Sequence, residues 1–384
     1  MTYSAISRLL VIKDGREVAT LERTRTGCRF AYRDDYLASG GQPIAYRLTQ
    51  AELVVEGKYN LPMYFSGLLP EGVMSDALIS RARISRDDLF SQLALTGHDP
   101  IGDVSIVAPD LPPIAEPKRV EDVREFLKEY LSSSPDLRYA GISGVIPKMS
   151  LRQVLRGFRQ TAQLVKLEPP GFPGVLANEA ATMIWARRAG FDTAQVRLHG
   201  PDLLVINRFD RVPQPDGSLK MRHVEDTLQL LDAHPYAKYS LDYLEILDLA
   251  RELASSLALI LDLLRLYLLS WLVGNGDLHA KNVSFIRDET FETWTLTPIY
   301  DLVCTLAYRE LNPTMALALD EQRGDFRMAD LVKVAEAYRI PPLAAERAFR
   351  RVVGRLDRAM KDRPWPYPDF VVDELFRRRA RFLD

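Results

Sequence analysis

Apolar positions follow several distinct rhythms along this chain. In residues 6–36 they alternate with polar ones in three short runs, SRLLVI, REVATLER and CRFAYR, with Asp14-Gly15 between the first two. A period of two predicts strands with one buried face, and Asp-Gly between such runs predicts a tight hairpin. From 68 to 95 the period lengthens to that of a helix; Ser85, with Asp88 three residues on, marks a helix start and Gly97 its stop. Four prolines within PDLPPIAEP (109–117) are incompatible with a helix interior or a central strand, and predict a boundary between structural units.

The pattern beyond that boundary is mixed. EDVREFLKEYL (121–131) has the period of an amphipathic helix, and YAGISGVIPKMSL (139–151) is a glycine-containing turn that ends at Lys148 and leads into a strand. QLVKLE (163–168) predicts a strand carrying one lysine, Lys166. NEAATMIWARRAG (178–190) predicts a helix whose apolar face holds Ala181, Ile184, Trp185 and Ala189. LLVINRFDR (203–211) is a strand running into a polar turn, and from about 225 to the end the pattern is mostly helical, apart from 283–301. The run LASSLALILDLLRLYLLSWLVGN (253–275) approaches the length of a membrane span, but Asp262 and Arg265 interrupt it near its middle. Charges at a bilayer centre are expensive, so the run predicts a helix buried in the core of a large domain.

Composition narrows the classes. The 384 residues are 47% hydrophobic and 27% charged, ordinary for a globular chain that buries its own core. Fifty Lys plus Arg against 52 Asp plus Glu leave a net charge of −2, which argues against a nucleic-acid backbone as the main partner. The basic run Arg377, Arg378, Arg379 and Arg381 is expected to be a solvated helix face. Two distant cysteines, Cys28 and Cys304, exclude a disulfide framework and a thiolate zinc cage. The N-terminal segment meets a charge too soon for a signal peptide, so a cytoplasmic location with no membrane partner is expected.

The chemistry concentrates in GNGDLHAKNVSFI (274–286), where Asp277 and Asn282 stand five residues apart. Protein-kinase catalytic loops share that spacing. Phosphoryl transfer needs a carboxylate to orient the attacking hydroxyl and an oxygen ligand nearby for magnesium. A second carboxylate should follow to complete the metal site. TPIYDLV (297–303) supplies Asp301, nineteen residues after Asn282 and after a predicted strand pair. A nucleotide also needs a cation and a glycine loop for its phosphates. Lys166 is the candidate cation, and the turn around Gly141 and Gly144, closing with Lys148, is the candidate loop. Two roles are open to Glu179: partner of Lys166 across the site, or a helix-surface position near the helix N-terminus.

In their order along the chain, YAGISGVIPKMSL, LVKLE, the NE-helix, LLVINRFDR, VEDTLQLL (224–231), GNGDLHAKN and TPIYDLV resemble the HipA-like serine/threonine kinases, the toxins of HipBA toxin–antitoxin modules. FSGLLPEG (65–72) and RISRDDLFSQLALTGHDPIGDVSIV (83–107) are similar to the N-terminal subdomain of the same family. The resemblance implies an α+β, kinase-like two-lobed fold: an N-terminal subdomain over 1–110, a small lobe with the phosphate loop over 118–209, and a helical large lobe over 210–384. It implies ATP and Mg2+ as cofactors, Asp277 as the catalytic residue, and Asn282 and Asp301 as metal ligands. It further places Lys166 on the ATP phosphates and makes Ser143, Gly144, Val145, Ile146, Pro147 and Lys148 the phosphate loop. Asn207, Arg208 and Phe209 would lie at the hinge against adenine, His279 and Lys281 in the nucleotide-contacting loop, and Tyr300 beside the metal.

The same resemblance implies partners. These are a HipB-like helix-turn-helix antitoxin, DNA only through that antitoxin, and a protein substrate such as an aminoacyl-tRNA synthetase. Members of the family can phosphorylate a serine of their own phosphate loop. Gly141 here lacks a hydroxyl, which leaves Ser143 as the autophosphorylation site. Asn207 stands where relatives often carry glutamate, and an amide oxygen can still accept from adenine. Two other functions compete: a small-molecule phosphotransferase of the aminoglycoside-kinase type, which uses a similar catalytic loop, and an inactive kinase-like co-repressor that only binds an antitoxin. The RFDR strand and the N-terminal region weigh against the first; the complete set Lys166, Asp277, Asn282 and Asp301 weighs against the second.

Overall fold

The structure, a computed structural model, describes residues 3–57, 60–110, 148–150, 162–169, 171–254, 256–288, 290, 292–361 and 367–384, without the side chains of 73, 74, 77, 78, 81 and 148–150. The helix expected at 121–131, the proline-rich boundary beyond residue 110, and Gly141, Ser143, Gly144, Val145, Ile146 and Pro147 lie outside the described residues.

The three alternating runs near the N-terminus form β1 (Arg8–Lys13), β2 (Arg16–Arg23) and β3 (Gly27–Tyr32). Asp14 and Gly15 both take positive φ, 51° and 75°, which matches the twist of a two-residue hairpin turn. Helix α1 (Asp34–Ala38), β4 (Glu52–Glu56), α2 (Met63–Gly67), α3 (Gly72–Ala82), α4 (Leu89–Thr96) and β5 (Val104–Val107) complete this unit. Its sheet is antiparallel in the order β4-β3-β2-β1-β5. Leu9, Val11, Leu21 and Phe30 of the sheet pack with Phe65, Phe90 and Leu93 in a core of its own. Helix α4 starts later than the sequence suggests. Asp88, not Ser85, is its N-cap and accepts from Ser91 N, while Ser85 Oγ accepts from Asp87 N in the preceding turn. Arg23 reaches Asp88 at 3.0 Å, and this contact from 65 residues away helps hold the cap.

A second antiparallel sheet, order β6-β7-β9-β8, is built from β6 (Lys148–Ser150), β7 (Gln163–Leu167), β8 (Val196–Leu198) and β9 (Leu203–Asn207), with α5 (Val175–Arg188) between β7 and β8. The register sets Lys148 opposite Lys166. The buried face of α5 differs from the expected one. Met183, Trp185, Ala186 and Ala189 are buried and Ala181 and Ile184 only half-buried, because the helix is covered on more than one side and even Glu179 and Thr182 are inside.

The chain continues through the hairpin β10 (Arg211–Pro213) and β11 (Leu219–Met221), then β12 (Val224–Asp226), α6 (Thr227–Leu230), α7 (Tyr243–Leu253) and α8 (Leu257–Leu272). Strands β13 (Ser284–Arg287) and β14 (Trp294–Leu296) pair beside β12, and α9 (Met328–Ala337), α10 (Pro342–Lys361) and α11 (Asp369–Leu383) close the fold. Helix α8 is the expected core helix, with Leu263, Leu264, Tyr267, Leu269, Trp271 and Leu272 buried and Asp262 paired with Arg265 at 2.6 Å on its outer side. No described helix is long and apolar enough to cross a membrane. Small-lobe residues such as Val175 and Leu204 share one apolar core with the helical region, while the N-terminal unit has a core of its own.

The expectation that the C-terminal arginines form a solvated helix face holds only in part. Arg377 and Arg381 are exposed, but Arg379 is buried against Met360 and Asp357, and Arg378 donates to the Trp271 carbonyl at 2.9 Å. At helical spacing, four charges clustered within five positions cannot all face the same way.

Candidate active site

Helix α8 delivers the loop that carries Asp277, the expected catalytic residue. The helix stops at Gly274, whose φ of +74° no continuing helix adopts. Gly276 is required by packing, since a Cβ there would lie 2.7 Å from the Thr314 carbonyl and 2.9 Å from Thr305 Oγ1. Buried Asn275 accepts from Asp277 N at 3.0 Å, and Asn282 Nδ2 donates to the Asp277 carbonyl at 3.0 Å. Both bonds hold the backbone of Asp277 in a tight loop that continues as the 3-10 turn Ala280–Asn282 and enters β13. The donating amide of Asn282 also determines which end is oxygen, the end a cation would use.

The β13–β14 hairpin returns the chain to Asp301, which sits in the left-handed region with φ 55°. The NE-helix secures that segment. Asn178 accepts from Cys304 N at 2.8 Å and donates to Cys304 O at 2.9 Å, while the next residue, Glu179, reaches Lys166. Lys166 Nζ lies 2.7 and 2.9 Å from the two Glu179 oxygens and 2.5 Å from Asp301 Oδ1. Of the two roles open to Glu179, the structure selects the ion pair: the residue is 0% exposed. Burial opposes the Lys166 charge, but Asp301 and Glu179 outweigh it and hold the ammonium above its ordinary range. The site therefore joins a strand cation, a helix carboxylate and the carboxylate that follows the catalytic loop.

The remaining expected residues divide. Tyr300 donates to the Lys281 carbonyl at 2.8 Å, and its ring lies 5.7 Å from that of Phe209, so the chain just after β9 meets the segment carrying Asp301. His279 is buried, and its Nδ1 has no hydrogen-bond partner among the described residues; burial first, then the charge of Lys238, lowers its pKa to about 4 and keeps it neutral. Asn207 commits its side chain across the sheet, accepting from Gln163 at 3.0 Å and donating to Gln195 at 3.1 Å.

Arg208 commits its guanidinium to the N-terminal unit and to Asp210. Its guanidinium bonds Asp210 at 2.9 and 2.6 Å and Asp99 at 3.1 Å, and Arg211 bonds the same two carboxylates at 2.7 and 2.8 Å. Asp210 also accepts from Gly102 N at 2.8 Å. The RFDR segment is thus a buried lock on the loop before β5. Two carboxylates between two arginines satisfy charges that neither unit could bury alone.

Lys281 likewise turns toward the N-terminal unit. It donates to the Gly67 carbonyl at 2.8 Å and pairs with Glu71 at 3.3 Å and Asp226 at 3.5 Å. Glu71 also meets Lys238 at 2.5 Å. Sequence reasoning did not assign roles to Asp99, Glu71 or Lys238; Glu71 does lie within FSGLLPEG, where the sequence resemblance was recognised. A further buried chain crosses the same interface, from Lys13 to Asp103, to His223 at 3.1 Å, and from His223 to Glu225 at 2.8 Å.

Comparison with known proteins agrees with this architecture. Residues 9–107 match the HipA N-terminal domain and residues 140–360 the HipA-like C-terminal domain. The putative kinase Y4dM of Sinorhizobium fredii is 29% identical over 345 residues, 83% of this chain and 81% of that protein. The serine/threonine-protein kinase toxin HipA of Shewanella oneidensis is 27% identical over 298 residues, 68% of this chain and 67% of that protein. A chain in the solved Shewanella oneidensis complex of HipA, HipB and operator DNA has a TM-score of 0.77 at 22% identity, covering 98% of this chain and 96% of that one. That likeness establishes the fold.

Proposed function

The chain belongs to the HipA family of serine/threonine protein kinases, and from that premise we propose that it transfers the γ-phosphoryl group of ATP to a serine or threonine hydroxyl, with Asp277 as catalytic carboxylate. The observation that carries this reading is the junction of Lys166 with both Glu179 and Asp301. A lysine–glutamate pair between strand and helix, joined to a metal-binding aspartate, is the arrangement phosphoryl transfer requires of a protein kinase.

In the proposed step Asp277 accepts a hydrogen bond from the acceptor hydroxyl and takes its proton as the new O–P bond forms. The bond between the γ-phosphorus and the β–γ bridging oxygen breaks, and ADP leaves. Lys166 exchanges part of its contact with Asp301 for phosphate oxygens, while Glu179 keeps the ammonium in place. Asn282 and Asp301 offer an amide and a carboxylate oxygen, a donor set that fits magnesium. The bound ion would neutralise charge developing on the phosphates. Neutral His279 is suited to a hydrogen bond within the loop rather than to an ion pair with phosphate.

The acceptors we propose are a translation component, such as an aminoacyl-tRNA synthetase, and Ser143 of the chain's own phosphate loop. A HipB-like antitoxin is the proposed partner, supported by the HipA–HipB–DNA assembly of the structural neighbour. Phosphoamino-acid analysis of label transferred from γ-labelled ATP tests the acceptor class. Phosphoserine or phosphothreonine in protein supports the reading; label confined to small molecules overturns it.

A further inference from the structure

The 3-10 turn Pro235–Tyr239 belongs to no motif that the sequence singles out, yet it touches the catalytic loop directly. The Tyr239 hydroxyl donates to Asp277 Oδ1 at 3.1 Å, and the Tyr239 ring meets the His279 ring edge-on at 5.2 Å. Its neighbour Lys238 lies 5.2 Å from the centre of the same ring and bonds Glu71 of the N-terminal unit at 2.5 Å. Glu71 in turn pairs with Lys281 of the catalytic loop at 3.3 Å. Tyr239 therefore closes a ring of contacts from the N-terminal unit, through the turn, to the carboxylate of Asp277.

We propose that Tyr239 is a positioning residue for phosphoryl transfer, orienting the Asp277 carboxylate toward the acceptor hydroxyl. The proposal rests on Asp277 being the catalytic carboxylate. Asn275 and Asn282 hold the backbone of Asp277, whereas the tyrosine bond acts on the carboxylate itself and limits rotation about its side-chain bonds. A catalytic base has to lie within hydrogen-bond reach of the proton it takes, in a productive orientation. The tyrosine hydroxyl supplies a directional bond to one carboxylate oxygen. Tyr239 is 40% exposed and Asp277 beside it half-buried, so their contact lies near the surface.

The test compares the full-length wild type with Tyr239→Phe, Asp277→Ala and a Tyr236→Phe control from the exposed part of the same turn. Each protein is incubated with magnesium and γ-labelled ATP. The readouts are the rate of label incorporation into protein at saturating ATP, the half-saturating ATP concentration and the thermal midpoint. Tyr239→Phe is expected to slow transfer by about 10- to 100-fold, the size of a small misplacement of a catalytic group. Its half-saturating ATP concentration and midpoint should stay at wild-type values, and Tyr236→Phe should match the wild type. An unchanged rate in Tyr239→Phe overturns the proposal, as does a parallel loss of rate, ATP affinity and midpoint, which would mark a merely structural role. If Asp277→Ala retains the wild-type rate, the catalytic reading itself fails; if it is inactive while Tyr239→Phe is normal, only the positioning role fails.

Discussion

Lys166 and Glu179, thirteen residues apart, meet at 2.7 Å with neither side chain more than 4% exposed. The strand and the helix that carry them turn this lysine away from water and toward the catalytic loop, where Asp301 completes the contact. Such a buried ion pair is poor evidence for stability, because desolvation offsets much of its attraction. In the proposed reaction its value lies in holding one cation ready for the phosphates of ATP.

Removing that cation should harm both activity and folding. Lys166→Met leaves Glu179 charged and buried beside Asp301, and is expected to destabilise the protein by about 3–5 kcal/mol and to abolish transfer. Lys166→Met with Glu179→Leu should recover much of the stability and none of the activity. Urea unfolding alongside a phosphoryl-transfer assay separates the two effects.

The lock made by Asp99, Arg208, Asp210 and Arg211 should behave differently. Asp210→Asn removes one of two negative charges between two buried arginines, with an expected cost of about 3 kcal/mol. The loop before β5 should exchange its amide hydrogens faster, most clearly at Gly102, whose N–H donates to Asp210. Unchanged exchange at Gly102 would contradict the assignment.

The interface should also respond to pH through His223. Burial works against its charge, but hydrogen bonds and charges from Asp103 and Glu225 prevail and raise its pKa above 6.5. Lys13 on β1, together with Arg287 on β13, faces the same carboxylates. A raised pKa contributes stability that is fully present below about pH 6.5 and lost as pH rises through the folded value. His223→Gln is therefore expected to cost about 2–3 kcal/mol at pH 6 and clearly less at pH 9. Urea unfolding at both values checks the sign, and a larger cost at pH 9 would refute it.

Glu71 offers a test of the contact between the N-terminal unit and the catalytic loop. Glu71→Gln weakens two ion pairs, to Lys238 and Lys281. It is expected to lower transfer about tenfold while leaving the N-terminal sheet folded, because a displaced catalytic loop loses orientation rather than ATP affinity. Steady-state rates with circular dichroism would decide.

What the sequence revealed was local. The Asp14-Gly15 hairpin, the core helix α8 and the order Asp277, Asn282, Asp301 are legible because each signal is contiguous, or spaced by one hairpin. The family resemblance implies a place for Arg208 against adenine, and the local sequence shows nothing of the ion pairs its side chain makes. Its partner Asp99 is 109 residues away, and nothing in the local pattern points to it. Distance also hides Tyr239, which carries no motif and acquires its role only where the turn packs on Asp277. The buried face of α5 was misplaced for a related reason: periodicity gives one stripe, whereas this helix is covered on more than one side. The start of α4 is ambiguous in the sequence because Ser85 and Asp88 are both good caps; Asp88, which Arg23 of β2 also bonds, is the one that accepts from Ser91 N.

If Asp277 and Asp301 play the proposed roles of catalytic carboxylate and metal ligand, both are needed for phosphoryl transfer from ATP. The most direct test is incubation of the purified full-length protein with magnesium and γ-labelled ATP, beside Asp277→Ala and Asp301→Ala, followed by intact mass and peptide mapping. The account predicts phosphate in the wild type alone, on serine or threonine, with the 139–151 peptide carrying it at Ser143. Equal incorporation in Asp277→Ala would contradict it.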